Sequence, residues 1–170
     1  PSGTVSLLAG VTPGIHHSPA GRFYIRRMQL AKNSNLVEPL KQAGYYIEDS
    51  VYSEDTVIVE FPIDSGEGVI SEKDVSVKQQ LDLVALVQKY WSDNAVSVTV
   101  KFDKNKFEPH QLALTLNEYR DKLKSVSFLP LSENGYQQAP YEEISEEKFL
   151  LLSSNLKKID ISELNKLGKG

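Results

Sequence analysis

The order of predicted elements between residues 56 and 129 most constrains the fold of this chain. β-Branched and alternating apolar residues predict strands, and apolar residues at intervals of three and four predict helices. The elements are a strand at 56–63, a helix at 75–91, a strand at 95–102, a helix that opens at Glu108 and Pro109, and a strand at 125–129. Such alternation predicts an α/β fold with parallel pairing, as in a barrel or a doubly wound sheet.

Two flanking regions add elements to this order. Residues 23–29 (FYIRRMQ) predict a strand, and a short helix follows, because Asn33 or Ser34 can cap it and Gly44 can end it. After Asn134 and Gly135 the chain becomes polar, and EEISEEKFLLL predicts one amphipathic helix. The C-terminal region therefore resembles a tail with a short helix.

Composition limits the class of partner and the compartment. A net charge of −4 with interspersed signs does not favour nucleic acid binding. The 170 residues contain no cysteine, which excludes a disulfide, a thiolate zinc site and a cysteine nucleophile within them. No apolar run approaches the roughly 20 residues that span a bilayer, and no segment resembles a secretory signal. We therefore expect a cytoplasmic protein with no membrane partner.

The first ten residues, PSGTVSLLAG, form a candidate anion site. A glycine-containing turn that leads into a helix presents unpaired backbone amides and the positive end of the helix dipole to a ligand. Hydroxyls add further donors, so the candidate residues are Ser2, Gly3, Thr4, Val5 and Ser6. Serine and threonine are also ordinary capping residues. The spacing matches neither the Walker loop nor the dinucleotide fingerprint.

Other polar residues are weaker candidates. His16 and His17 lie in a loop without a second metal-ligand motif, which favours loop histidines over a metal site. Arg26 and Arg27 fall on opposite faces of a strand, so at most one can join Arg22 at a shared anion site. Four acidic residues near the start of the late helix favour a solvated face over a catalytic pair. They are Glu142, Glu143, Glu146 and Glu147.

Three segments together resemble one family. PSGTVSLLAGVTPGIH resembles the substrate-phosphate loop of ribonucleotide reductase large subunits. YWSDNAVSVTV and SVSFLPLSENGYQQAPYE resemble later segments of the adenosylcobalamin-dependent branch, class II. The resemblance implies a ten-stranded α/β barrel, with residues 1–133 as its closing part and 134–170 as a C-terminal tail with a short helix. It also implies that residues 2–5, with Ser6 as a neighbour, hold the phosphates of a ribonucleotide.

The same resemblance implies the chemistry and the partners. The expected activity is radical reduction of ribonucleoside di- or triphosphates, with adenosylcobalamin bound mainly by a missing part of the chain. The partners are a ribonucleotide substrate, a thioredoxin-type reductant and the rest of the reductase chain. Ser127 and Phe128 stand where another branch has a radical-transfer tyrosine pair, which favours radical generation by a cofactor in the same chain.

The family's thiyl and reducing cysteines are absent from these residues, and the sequence begins at Pro1 rather than Met. We therefore expect the back part of a longer protein, with no catalytic residue in this chain and no activity from the isolated 170 residues. The alternative is a non-catalytic module that docks onto a partner chain to complete its barrel. Exposed apolar strand edges would mark such a module.

Overall fold

Two units alternate along the chain in the computed structural model. The model describes Ser6, Val11 and residues 14–106, 108–131 and 137–159, except for the side chain of Pro109. Unit 1 comprises the described residues within 1–19 and 68–133, and unit 2 those within 20–67 and 134–170. The described elements in chain order are β1 (Phe23–Ala31), α1 (Val37–Gln42), β2 (Ile47–Asp49), β3 (Thr56–Asp64), α2 (Val77–Tyr90), β4 (Thr99–Phe102), α3 (Pro109–Tyr119), β5 (Ser127–Pro130), β6 (Tyr141–Glu143) and α4 (Glu146–Ser154).

Unit 2 is built on a four-stranded antiparallel sheet with the strand order β2-β3-β1-β6. β1 and β3 pair over their whole length, from Phe23 opposite Asp64 to Ala31 opposite Thr56. Ile25 and Val59, which are 2% and 0% exposed, are buried on opposite faces of this sheet, because Ile25 lies opposite Pro62 and Val59 lies opposite Met28. Parallel pairing is therefore the wrong prediction for the strand at 56–63, because its two neighbours in the sheet both run antiparallel to it.

Unit 1 contains the parallel pairing that the element order predicts. β4 and β5 run parallel, with Val100 opposite Phe128, and α3 connects them. Four buried residues form the core, and they come from both helices and from β4: Val77, Leu81, Val100 and Tyr119. The prediction of a strand–helix–strand unit is confirmed here.

Local capping explains where the two helices of unit 1 begin. Ser76 accepts a hydrogen bond from the backbone of Gln79, whose side chain bonds the Ser76 backbone in return. At the start of α3 the Glu108 N–H donates to Oε1 of Gln111 at 2.9 Å, and proline takes the first helical position. Each helix therefore satisfies amides that would otherwise lack partners.

The region predicted as a tail contributes to the sheet of unit 2. β6 pairs with β1, with Tyr24 opposite Glu143, and the Phe149 ring of α4 lies 5.1 Å from the Phe23 ring. The structure thus groups residues 20–67 with the described residues that follow 134, instead of with the rest of 1–133. The short late helix is present as α4, capped by Ser145. Within the described residues, no helix combines the length and apolarity needed to cross a membrane.

Candidate functional site

Most of the predicted anion site lies outside the described residues. Ser2, Gly3, Thr4 and Val5 fall there, so their phosphate-binding role stays a prediction. Ser6 is described as helical and is only 7% exposed. Its carbonyl accepts a hydrogen bond from the Val11 amide at 3.1 Å. Ser6 is therefore a buried residue, and its backbone oxygen is engaged within the same segment.

Within unit 1, the segment that follows this loop is joined to residues 70–72 by a backbone bridge. The Ser18 amide donates to the Ile70 carbonyl at 3.2 Å, and the Glu72 amide donates to the Ser18 carbonyl at 2.8 Å. Ser18 and Ser71 face each other in this bridge and are 2% and 5% exposed. Residues 14–19 consequently have a fixed end at Ser18.

His16 connects the same segment to the sheet. Its Nε2 atom accepts a hydrogen bond from the backbone N–H of Thr99, the first residue of β4, over 3.4 Å. The imidazole is half-buried, and it follows a turn at Gly14 whose φ of 57° favours glycine. Sequence reasoning treated His16 as an ordinary loop histidine. No local signal could have shown this contact, because its partners are 83 positions apart.

Gln80 lies beside His16 and binds the next part of the same strand. Its amide nitrogen donates to the Lys101 carbonyl at 2.9 Å and to the Val75 carbonyl at 3.3 Å, and its amide oxygen accepts from the Lys101 N–H at 2.9 Å. One buried side chain thus satisfies the N–H and C=O of Lys101, as a neighbouring strand would. The backbone of β4 is held by two side chains from outside its strand pair.

A small cavity lies beneath these contacts. Its polar lining includes His16, His17, Glu72, Gln80, Thr99 and Lys101. The ammonium of Lys101 and the carboxylate of Glu72 are 3.8 Å apart, and both side chains are largely buried. The cavity volume of about 20 Å³ accommodates a single water molecule but no nucleotide. This cavity supports the segment around it and is not a substrate site.

The other candidates from the sequence are occupied by structural contacts. In unit 2 the Arg27 guanidinium bonds the carboxylates of Glu60, at 2.7 Å, and Glu142. Arg22 binds Asp64 at 2.8 Å, and Arg26 lies 4.2 Å from the centre of the Tyr141 ring. These arginines therefore do not gather at an anion site. Glu142 is a partner of Arg27, which corrects its assignment to a solvated face.

Two pKa shifts in unit 2 follow from these pairs. The hydrogen bond from Arg27 lowers the pKa of Glu142 below that of an ordinary glutamate. The hydrogen bond from Arg22 likewise lowers the pKa of Asp64. Both shifts stabilise the charged carboxylates and make them poor proton donors or acceptors near neutral pH. Among the described residues, no group of three or more histidine or acidic side chains is placed to hold a metal ion.

Comparisons with known proteins identify relatives with consistent names. No protein-family model matches the sequence. The chain is 48% identical over 168 residues to a probable adenosylcobalamin-dependent ribonucleoside-triphosphate reductase of Dictyostelium discoideum, covering 97% of this chain and 22% of the relative. It is 42% identical over 155 residues to the corresponding enzyme of Euglena gracilis, covering 88% of this chain and 20% of that enzyme.

A solved structure gives the same result for the fold. The chain superposes on the crystal structure of a B12-dependent, class II ribonucleotide reductase with a TM-score of 0.86 and 36% identity, over 99% of this chain and 24% of that one. The α/β fold predicted from the resemblance is therefore confirmed. The chain spans about a fifth of the length of the curated relatives it matches.

Proposed function

The chain belongs to the adenosylcobalamin-dependent, class II ribonucleotide reductase family, and from this premise we propose that it forms the C-terminal part of an enzyme that reduces ribonucleotides to deoxyribonucleotides. The observation that carries the proposal is the agreement of sequence and fold over nearly the whole chain, at 36% identity and a TM-score of 0.86. The relatives are named triphosphate reductases, so ribonucleoside triphosphates are the substrates to test.

The role of this segment in that reaction is to hold the substrate phosphates. The sequence of residues 2–6 predicts a turn leading into a helix, whose backbone amides and serine and threonine hydroxyls would form a donor set suited to a polyphosphate. Anchoring the phosphates orients the ribose for a reaction that must proceed away from solvent. The described residues that follow this loop, 14–19, are held by hydrogen bonds to residues 70–72 and to Thr99 of the same unit.

Adenosylcobalamin would supply the radical chemistry when bound. We assign its binding mainly to parts of the reductase outside this segment, because a corrin ring needs a broad apolar surface to pack against. Of the two cavities described in unit 1, the first has about 20 Å³, and the second is an open cleft whose lining mixes charged residues such as Asp82 and Lys124 with apolar ones such as Leu86 and Leu123. No step of the cofactor chemistry is assigned to the residues of this chain.

The remaining partners follow from the electron balance. Reduction of a ribonucleotide consumes two electrons and releases the hydroxyl as water, and this segment contains no cysteine to supply them. We therefore propose a thioredoxin-type dithiol as the reductant, acting through cysteines of the rest of the reductase chain. A cytoplasmic location agrees with that reducing system.

Thr4→Val tests the proposed phosphate site. Valine keeps the shape of threonine but removes the hydroxyl, and a hydrogen bond to a charged group contributes about 1.5–3 kcal/mol. In the full-length reductase, we expect the KM for cytidine triphosphate to rise by roughly ten- to a hundredfold. The measurement is steady-state reduction of the triphosphate by the purified holoenzyme, with melting temperature recorded for both forms.

Thr115→Val is the matched control, because it makes the same change on α3, far from residues 2–6 in the sequence. Its KM is expected to remain that of the wild type. An unchanged KM in Thr4→Val would contradict the phosphate-binding role, whatever the control shows.

The alternative function is a non-catalytic module that docks onto a partner chain. Exposed apolar residues in unit 1 favour it, since Trp91, Tyr90 and Leu114 are 87%, 71% and 69% exposed. The two functions differ when the 170-residue chain is mixed with a reductase chain that lacks this segment. Restored triphosphate reduction would support the proposal that this chain is part of the enzyme. Stable binding without reduction would support the non-catalytic module.

A further inference from the structure

We propose that His16 is a positioning residue, which holds the substrate-phosphate loop in place by docking the segment behind it against β4. This inference rests on the proposed function of residues 2–6 and extends it to a residue outside the loop. The observation that carries it is the hydrogen bond from the Thr99 N–H to Nε2 of His16 at 3.4 Å.

The chain around His16 is arranged to present this side chain to the strand. Gly14 makes a left-handed turn just before it, and the Ser18 bridge to residues 70–72 fixes the chain just after it. Because the chain is constrained on both sides of His16, the imidazole reaches the edge of β4 that Gln80 also binds. Residues 2–6 precede this segment in the sequence, so we expect a displaced His16 to shift them.

The contact uses Nε2 of the imidazole as the acceptor for the Thr99 N–H. A phenylalanine at this position keeps an aromatic ring but offers no acceptor to the Thr99 N–H. A glutamine can present its Oε1 atom at about the position of Nε2 and can therefore replace the acceptor.

The cavity that His16 lines is too small for a nucleotide. It has about 20 Å³ and is also lined by the largely buried ion pair of Glu72 and Lys101. His16 acts on the substrate through the loop, which predicts a change in substrate binding rather than in the chemical step. A residue that served stability alone would change the melting temperature, without a rise in KM at an unchanged kcat.

The experiment compares His16→Phe and His16→Gln in the full-length holoenzyme, with cytidine triphosphate as the substrate. For His16→Phe we expect a rise in KM of roughly five- to tenfold, the effect of one lost hydrogen bond, with kcat changed less than about twofold. His16→Gln is expected to restore the KM of the wild type. His110→Phe, at an exposed position of α3, is the matched control.

The possible outcomes separate this inference from the proposed function. A raised KM in His16→Phe with rescue by glutamine supports the positioning role. A wild-type KM in His16→Phe overturns it, and so does a His16→Gln variant whose KM stays raised. It is also overturned if His16→Phe unfolds and His16→Gln restores the fold without restoring the KM. The phosphate site itself is tested by Thr4→Val, so a normal His16→Phe beside an impaired Thr4→Val overturns the inference alone.

Discussion

Arg27→Met is expected to destabilise the sheet of unit 2 by about 3 kcal/mol. The guanidinium of Arg27, on β1, binds Glu60 of β3 and Glu142, which lies on β6, and it also donates to the Ala139 carbonyl at 3.0 Å. The side chains of Arg27 and Glu60 are only 13% and 15% exposed. Methionine would leave two carboxylates close together without their cation, and removal of one member of a buried pair costs about 3–5 kcal/mol. The lower value applies because Glu142 is 39% exposed.

Hydrogen–deuterium exchange of peptides from β1 and β3 measures this effect within the full protein. A loss of about 3 kcal/mol corresponds to roughly a hundredfold faster exchange for those amides that exchange through opening of unit 2. Arg120→Met is the matched control, because Arg120 lies in an exposed pair with Asp121 in which the side chains are 69% and 86% exposed. Equal protection in Arg27→Met and the wild type would show that the three strands are held together without this arginine.

The same pair predicts a dependence on pH. Because Arg27 lowers the pKa of Glu142 in the folded state, the pair stabilises the fold above the ordinary glutamate pKa of about 4.3. That stability is lost as the pH falls through the lowered pKa of the folded state. The wild type should therefore lose stability in unit 2 below about pH 4.5, and Arg27→Met should lose less over the same range.

The features that could be predicted from the sequence depend on nearby residues. The start of α2 follows from Ser76 and Gln79, three positions apart, and the start of α3 from Glu108 and Pro109. The parallel pairing of β4 and β5 also follows from a short range of sequence, because a helix between two strands returns the chain to the same edge. The phosphate-loop hypothesis came from a contiguous segment in the same way.

The features that could not be predicted depend on distant residues. The periodicity of β3 predicts a strand but does not identify its neighbours. Its partner β1 precedes the strand–helix alternation at 56–129 on which the prediction of parallel pairing was based. Arg27 binds the carboxylates of Glu60 and Glu142, which lie 33 and 115 positions away in the sequence, so no local spacing predicts these pairs. Gln80 falls on the apolar helix α2, and its role becomes visible only when β4 is beside it.

Gln80→Leu is the second change with a large expected effect, about 2–6 kcal/mol on unit 1. Leucine fills a similar volume in this site, where Gln80 is 6% exposed, but it leaves the N–H and C=O of Lys101 without their partner. Each buried backbone group that loses its partner costs about 1–3 kcal/mol. The effect should be local, so peptides that cover β4 should exchange hydrogen faster than peptides from unit 2.

Gln42→Leu provides the comparison that separates lost backbone bonds from a simple change of side chain. Gln42 lies on α1 and its amide binds only the exposed carboxylate of Glu38 among its described partners, at 3.1 Å, so its replacement should change stability by less than about 0.5 kcal/mol. A Gln80→Leu variant with wild-type protection in β4 would mean that water satisfies Lys101 equally well. Faster exchange confined to β4 would instead establish that a single amide replaces a neighbouring strand at this edge, next to the His16 contact.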